Sequence, residues 1–260
     1  MSVLRSPYAV PWPRGVRAAY SLGPPDDFSL EPSGRPRSPV AWAGLADRLG
    51  VGDVAYLRQV HGAQMLRERE LRGGPGGRGA VLEGDGLVSR SGGRAVAVLT
   101  ADCLPVLLSN ETGTAVAAVH GGWRSLAGGI LERALDALLA EAPGAPKGVV
   151  AWLGPCIGPA SFEVGQEVVD ALAPLPEACV SAGARGKAWV DLQELARFRL
   201  AARGVTRCYA EAEDVYANPA AYSHRRQGAA AGRQVAAIFP APEGVGPVDA
   251  RGGSIKNTRP

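Results

Sequence analysis

Histidine, methionine and lysine are scarce in this sequence, and the first two scarcities remove a class of chemistry. Three histidines and two methionines stand among 260 residues. A single copper can consume three imidazoles, so a multicopper oxidase cluster cannot be built from them, and besides Met1 only Met65 offers a weak axial thioether. No run of about 18 apolar residues exists to form a membrane span. Pro7, Pro11, Pro13 and Arg14 interrupt the N-terminus, which predicts no signal peptide. Four cysteines (Cys103, Cys156, Cys179 and Cys208) do not make a disulfide framework in a chain this long, so a reducing, cytoplasmic setting is expected. A net charge of +3 without a dense Lys/Arg block predicts no nucleic-acid partner. The motifs G-x-x-x-x-G-K-[ST], H-E-x-x-H, G-x-S-x-G and paired C-x-x-C are all missing. Gly74 to Gly79 formally match G-x-G-x-x-G, yet they follow a charged stretch and lead into no predicted helix, which argues against a dinucleotide fold.

What is present is a chain long enough for a sizeable core, 46% hydrophobic, with 35 glycines and 21 prolines that predict short elements and many turns. Residues 1 to 15 are proline-rich and read as extended. Val16 to Leu22, Val54 to Val60, Ala95 to Leu99, Leu104 to Leu108, Thr114 to Val119 and Val149 to Leu153 read as strands, as does the shorter pair Leu87-Val88. Val205 to Tyr209 and Gln234 to Phe239 are candidate closing strands. Ser38 caps a helix that starts at Pro39 and ends at Gly50. A helix after Arg124 places Leu126, Ile130, Leu131, Leu135, Leu138 and Leu139 on one face and stops before Pro143. Phe162 to Leu172 reads as helical, and Asp191 with Glu194 forms a capping box for a helix ending at Gly204. Residues 67 to 79 read as a charged, then glycine-rich loop. No repeat or linker divides the chain, so a single domain is expected.

Chemistry concentrates between Thr100 and Ile130. Cys103 follows Asp102 at the head of one apolar run, and His120 ends the next, ahead of Gly121-Gly122-Trp123-Arg124. His61 likewise ends a predicted strand, in Q-V-H-G. Two imidazoles and a thiolate suit zinc or copper, and three protein ligands with an open fourth position are the catalytic zinc pattern. A nucleophilic Cys103 with His120 as general base, and no metal, is the alternative. Arg124, at a helix start, and Ser223-His224-Arg225-Arg226 are candidate anion contacts. Asp85, Asp102 and Glu163 are candidate substrate contacts. Cys156, inside a rigid turn from Gly154 to Pro159, reads as a small buried side chain.

Q-V-H-G at 59–62, G-D-G-L-V at 84–88, T-A-D-C-L-P-V at 100–106, V-H-G-G-W-R at 119–124, L-G-P-C-I-G-P at 153–159, F-E-V-G at 162–165, and S-H-R-R with A-G-R-Q near 223–234 occur in this order. Together they closely resemble the YfiH family, long called laccase-domain or polyphenol oxidase proteins. The resemblance covers residues 16 to 239. It implies an α+β fold, a single domain with a mixed β-sandwich core flanked by helices, which an older view treats as a cysteine-hydrolase fold. It divides the chain into a catalytic domain, 1–239, and an irregular C-terminal tail, 240–260. It implies phosphorolysis of adenosine, inosine and S-methyl-5′-thioadenosine, and deamination of adenosine, with purine nucleosides and phosphate as partners. It implies metal ligation by His61, Cys103 and His120, with zinc the usual ion and copper the alternative. A copper-dependent polyphenol oxidase and a non-catalytic, metal-organised binding protein are the rival functions. Gly121 and Ser125 stand where the family often has Ala and Gly, and Ala160 and Ser161 where it often has cysteines. The latter change argues against a redox cysteine cluster.

Overall fold

Strand residues sort by their period-two alternation onto two faces, and here both faces are apolar, so both must be covered. The computed structural model describes residues 4–7, 10–71, 81–90 and 94–240. In chain order the elements are β1 (Val16–Tyr20), α1 (Pro39–Leu49), β2 (Asp53–Ala55), β3 (Met65–Arg67), β4 (Gly86–Ser89), β5 (Arg94–Thr100), β6 (Leu104–Ser109) and β7 (Val116–Gly121). Then come α2 (Trp123–Ala127), α3 (Ile130–Glu141), β8 (Val150–Leu153), β9 (Glu163–Val164), α4 (Gln166–Ala171), β10 (Val180–Ala182) and β11 (Ala188–Val190). α5 (Leu192–Ala202), β12 (Arg207–Ala210), α6 (His224–Gln227) and β13 (Gln234–Pro240) complete the series.

One sheet runs β1-β13-β5-β2 and a second β12-β8-β6-β7-β4-β3, each containing parallel and antiparallel pairs. They pack face to face. Tyr20, Val96, Val98, Ala236 and Ile238 of the first meet Leu87, Leu107, Val116, Ala118 and Trp152 of the second in one buried cluster. The residues one position along each strand point outward. Val88, Val106, Leu108, Ala117 and Val119 are covered by α3 and α5, through Leu131, Leu135, Leu138, Leu195 and Leu200. Ala95, Ala97, Val235 and Phe239 are covered by α1, through Trp42, Leu45 and Leu49. The result is the α+β sandwich with helices outside it. A small sheet, β10-β11-β9, flanks α4 and α5.

The predicted cap of α1 is present, with Ser38 Oγ accepting from the Ala41 N–H and Gly50 left-handed at φ 64°. Asp191 Oδ1 accepts from the Glu194 N–H at 2.9 Å at the start of α5, which ends at Ala202, short of Gly204. Four expectations need correction. The strand predicted to Val60 stops at Ala55. Beyond it the Gln59 side chain replaces a backbone ladder, donating to Leu99 O and accepting from Leu99 N–H, both at 2.7 Å. The helix predicted from Arg124 is two, because Gly129 turns left-handed (φ 78°) between α2 and α3. Phe162 to Leu172 begins as strand, since Glu163 and Val164 pair with Trp189 and Ala188 before α4 starts. Met65 to Arg67, in and beside the predicted charged loop, pair with β4 as a strand. The glycine-rich stretch at 74–79 and the tail at 241–260 lie outside the described residues. Among the described residues no helix is long and apolar enough to cross a membrane.

Leu107 sits fully buried between the two sheets. Leu107→Ala is expected to cost about 2–5 kcal/mol, read as a lowered midpoint in urea unfolding.

Candidate metal centre

The same alternation that builds the core sets up the site. Inward-facing positions are even-numbered on β7 (Val116, Ala118) and odd-numbered on β6 and β4 (Leu107 and Leu87). Continuing each series to one end of the sandwich reaches His120, Cys103 and Asp85. The register agrees, with Pro105 opposite His120 and Gly86 opposite Val119. Three neighbouring strand ends thus bring an imidazole, a thiol and a carboxylate together where the sheets open. His61 comes from the loop between β2 and β3.

Asp85 is the hub of this corner. It is fully buried. Its Oδ1 accepts from His120 Nδ1 at 2.8 Å and from the His61 N–H at 2.9 Å. Its Oδ2 accepts from the Gly62 N–H at 2.7 Å and the Val60 N–H at 3.3 Å. Its carbonyl accepts from the His120 N–H at 2.8 Å. Burial alone would raise the Asp85 pKa, but the His120 hydrogen bond and charge, with the backbone donors, hold it below the usual carboxylate range. The pKa of Cys103 is raised by burial and lowered more strongly by His120 and then His61, so the thiolate is favoured. His120 is the mirror case: burial opposes its charge, and Cys103 with Asp85 raises its pKa.

Both loops that deliver ligands carry uncommon backbone. His61 has φ 59° and Asp102 has φ 95°, conformations that cost about 1–3 kcal/mol each unless the surroundings impose them. Asp85 imposes the first. The second is pinned by Ile157 N–H on Asp102 O at 2.8 Å and Arg225 N–H on Asp102 Oδ2 at 2.6 Å. Gly122 supplies the clearance: a Cβ there would lie 3.0 Å from His61, 3.2 Å from Cys103 Sγ and 3.5 Å from His120.

The ligand atoms of His61, Cys103 and His120 lie within 4.8 Å of one another, with Cys103 Sγ 3.9 Å from His61 Nε2. Tetrahedral zinc bonds of about 2.0 Å to nitrogen and 2.3 Å to sulfur put such ligands roughly 3.5 Å apart. The separations here are somewhat wider, and two imidazoles with a thiolate are a donor set that zinc or copper takes. Asp85 on the far nitrogen of His120 is the carboxylate–histidine partnership that orients a metal ligand. The trio opens into a cavity of about 710 Å³, a size typical of small-molecule sites.

Other expectations fare differently. Asp85 is buried behind the ligands with both oxygens engaged, and it is not among the described residues that line the cavity. The Glu163 carboxylate is bound by Lys187 Nζ at 2.7 Å, and only its carbonyl serves the site, accepting from Arg225 Nη1 at 3.3 Å. Arg124 stacks on the Trp123 ring at 4.1 Å and does not line the cavity. Arg226 is spent on the carbonyls of Val215, Tyr216 and Ala221, and Ser223 caps α6. Asp102 and Arg225 do line the cavity, and so does His224. Cys156 is buried, as expected. Sequence reasoning missed Arg37, Arg58 and Arg233 along the rim and Gln59, Ile157 and Phe162 in the wall. Gln59 in Q-V-H-G, Ile157 in L-G-P-C-I-G-P, Phe162 in F-E-V-G and Arg233 in A-G-R-Q each lie in a family motif, whereas Arg37 and Arg58 lie in none.

A family model described as multi-copper polyphenol oxidoreductase laccase matches residues 41–241. The chain belongs to this family, that of the YfiH proteins. Escherichia coli purine nucleoside phosphorylase YfiH is 40% identical over 174 residues, 66% of this chain and 68% of its own. A Deinococcus radiodurans purine nucleoside phosphorylase is 33% identical over 252 residues, 92% of each chain. Among solved structures, a Neisseria meningitidis protein of the DUF152 family matches with TM-score 0.78 and 32% identity, covering 90% of this chain and 98% of that one. YlmD from Geobacillus stearothermophilus gives TM-score 0.77 at 26% identity, over 93% and 100% respectively. The names of the curated relatives support an enzyme.

Two measurements probe the centre. Asp85→Asn keeps the shape but loses acceptors for backbone N–H groups, and zinc affinity by competitive chelation is expected to fall about 10–100-fold. In metal-stripped protein at pH 7, iodoacetamide is expected to label Cys103 ahead of Cys156 and Cys179. Burial raises the pKa of both of these thiols, that of Cys179 to about 11, and mass spectrometry reads the sites. Added zinc is expected to protect Cys103.

Proposed function

We propose that the chain is a cytoplasmic, zinc-dependent purine nucleoside phosphorylase acting on adenosine, inosine and S-methyl-5′-thioadenosine, with adenosine deaminase activity at the same site. The observation that carries this reading is an open His61–Cys103–His120 trio on the floor of a cavity whose rim bears arginines. The phosphorylase names of relatives at up to 40% identity support it.

Bound zinc would supply Lewis acidity and an acidified water, with copper the alternative ion. The chain's own side chains do the rest. Leu30, Leu57, Leu99, Ile157 and Phe162 offer an apolar wall suited to a purine. The Arg225 backbone N–H donates to the Asp102 carboxylate, and its guanidinium donates to the Glu163 carbonyl and lies 5.7 Å from the Phe162 ring. That bracing leaves its charge for phosphate. Phosphorolysis needs a phosphate oxygen at C1′ while the bond to the base breaks, and a fixed guanidinium lowers the entropic and electrostatic cost of that approach. Arg37 and Arg233 add positive potential, with Glu31 and Asp102 the carboxylates among the cavity's lining residues. The polyphenol oxidase reading has weaker support, since three histidines furnish one copper site at most.

Zinc-replete protein given adenosine and phosphate is expected to release adenine and ribose 1-phosphate, and without phosphate to form inosine, both read by chromatography. Cys103→Ala is expected to lower kcat/KM at least about a hundredfold. Absence of ribose 1-phosphate under these conditions defeats the proposal, and copper-dependent oxygen uptake with a phenol would favour the oxidase.

A further inference from the structure

A second cavity, of about 490 Å³, lies along the edge strand β1 and shares no lining residue with the first. Its walls are the N-terminal segment (Ser6, Pro7 and Val10 to Pro13), the start of β1 and the end of α1. Three arginines line it, Arg14, Arg17 and Arg48, and no carboxylate is among its described lining residues. None of the three forms an ion pair within the described residues. Arg48 Nη2 reaches only Ser6 Oγ, at 3.5 Å, and the Arg17 guanidinium rests on the Phe239 ring at 4.5 Å.

The deficit here is of one kind. Arg17 Nε and Trp12 Nε1 are both buried and both lack an acceptor. Burial also lowers the pKa of Arg17, with no carboxylate to counter it. Buried donors without acceptors are costly, and like charges around one cavity repel. An anion among the guanidinium groups answers the uncompensated charge. Three guanidinium groups suit the dianionic oxygens of a phosphate, which they can bind in pairs of parallel hydrogen bonds. Trp12, Pro7, Pro11 and Pro13 supply an apolar wall beside them, on which a flat ring can stack.

We propose that this cavity is a second ligand site, separate from the metal centre, that takes a small phosphate monoester bearing a flat ring. It does not depend on the reaction proposed for the first cavity. Phenyl phosphate titrated into the full chain is expected to bind saturably and shift the Trp12 indole N–H resonance, assigned by its loss in Trp12→Phe. Arg14→Gln combined with Arg48→Gln, both off the buried core, is expected to weaken binding at least about tenfold. Arg225→Gln, in the other cavity, is expected to leave the Trp12 titration unchanged. The proposal is overturned if phenyl phosphate leaves the Trp12 resonance unmoved. It is equally overturned if phenol binds as well as phenyl phosphate, or if affinity follows Arg225 rather than Arg14 and Arg48.

Discussion

The hydrogen bond from His120 to Asp85 is the contact on which the rest of the site depends. A fully buried carboxylate is costly unless every oxygen is engaged, and Asp85 engages both, with one imidazole and three backbone N–H groups. Through the imidazole it fixes the ligand on the sheet. Through the N–H groups it fixes the loop that carries His61. Two ligands from different parts of the fold are therefore registered to each other by one side chain, and Cys103 is added by the adjacent strand end.

The sandwich makes this arrangement rigid. Because β4, β6 and β7 are sealed on both faces, their ends have little freedom, and chemistry placed there inherits the precision of the core. The loops bring what the strands cannot. His61 and Asp102 hold strained backbone near the ion site, and each is clamped by a partner distant in sequence.

Much of this is legible in the sequence. Apolar runs ending in His120 and starting beyond Cys103 mark strand ends, and the caps at Ser38 and Asp191 mark helix starts, because both signals are local. The part Asp85 plays is not legible for the same reason: nothing local in E-G-D-G-L says that His120 lies above its carboxylate. Gln59 imitates a strand only through Leu99, forty residues away. Arg37 and Arg58 reach the cavity from stretches whose sequences carry no motif. Glu163 sits in a recognisable motif, but Lys187, just ahead of β11, takes its charge.

The hydrogen bond at His120 Nδ1 also settles what that ring can do. An imidazole has two nitrogens, and one is already donating to a carboxylate, so a single lone pair remains at Nε2. Spent on a cation, it can accept no proton. Left free, it can deprotonate the neighbouring sulfur. Metal ligation and cysteine activation therefore compete for the same two atoms, and an ion-loaded molecule must find its proton acceptor elsewhere, with His224 the remaining imidazole along the cavity.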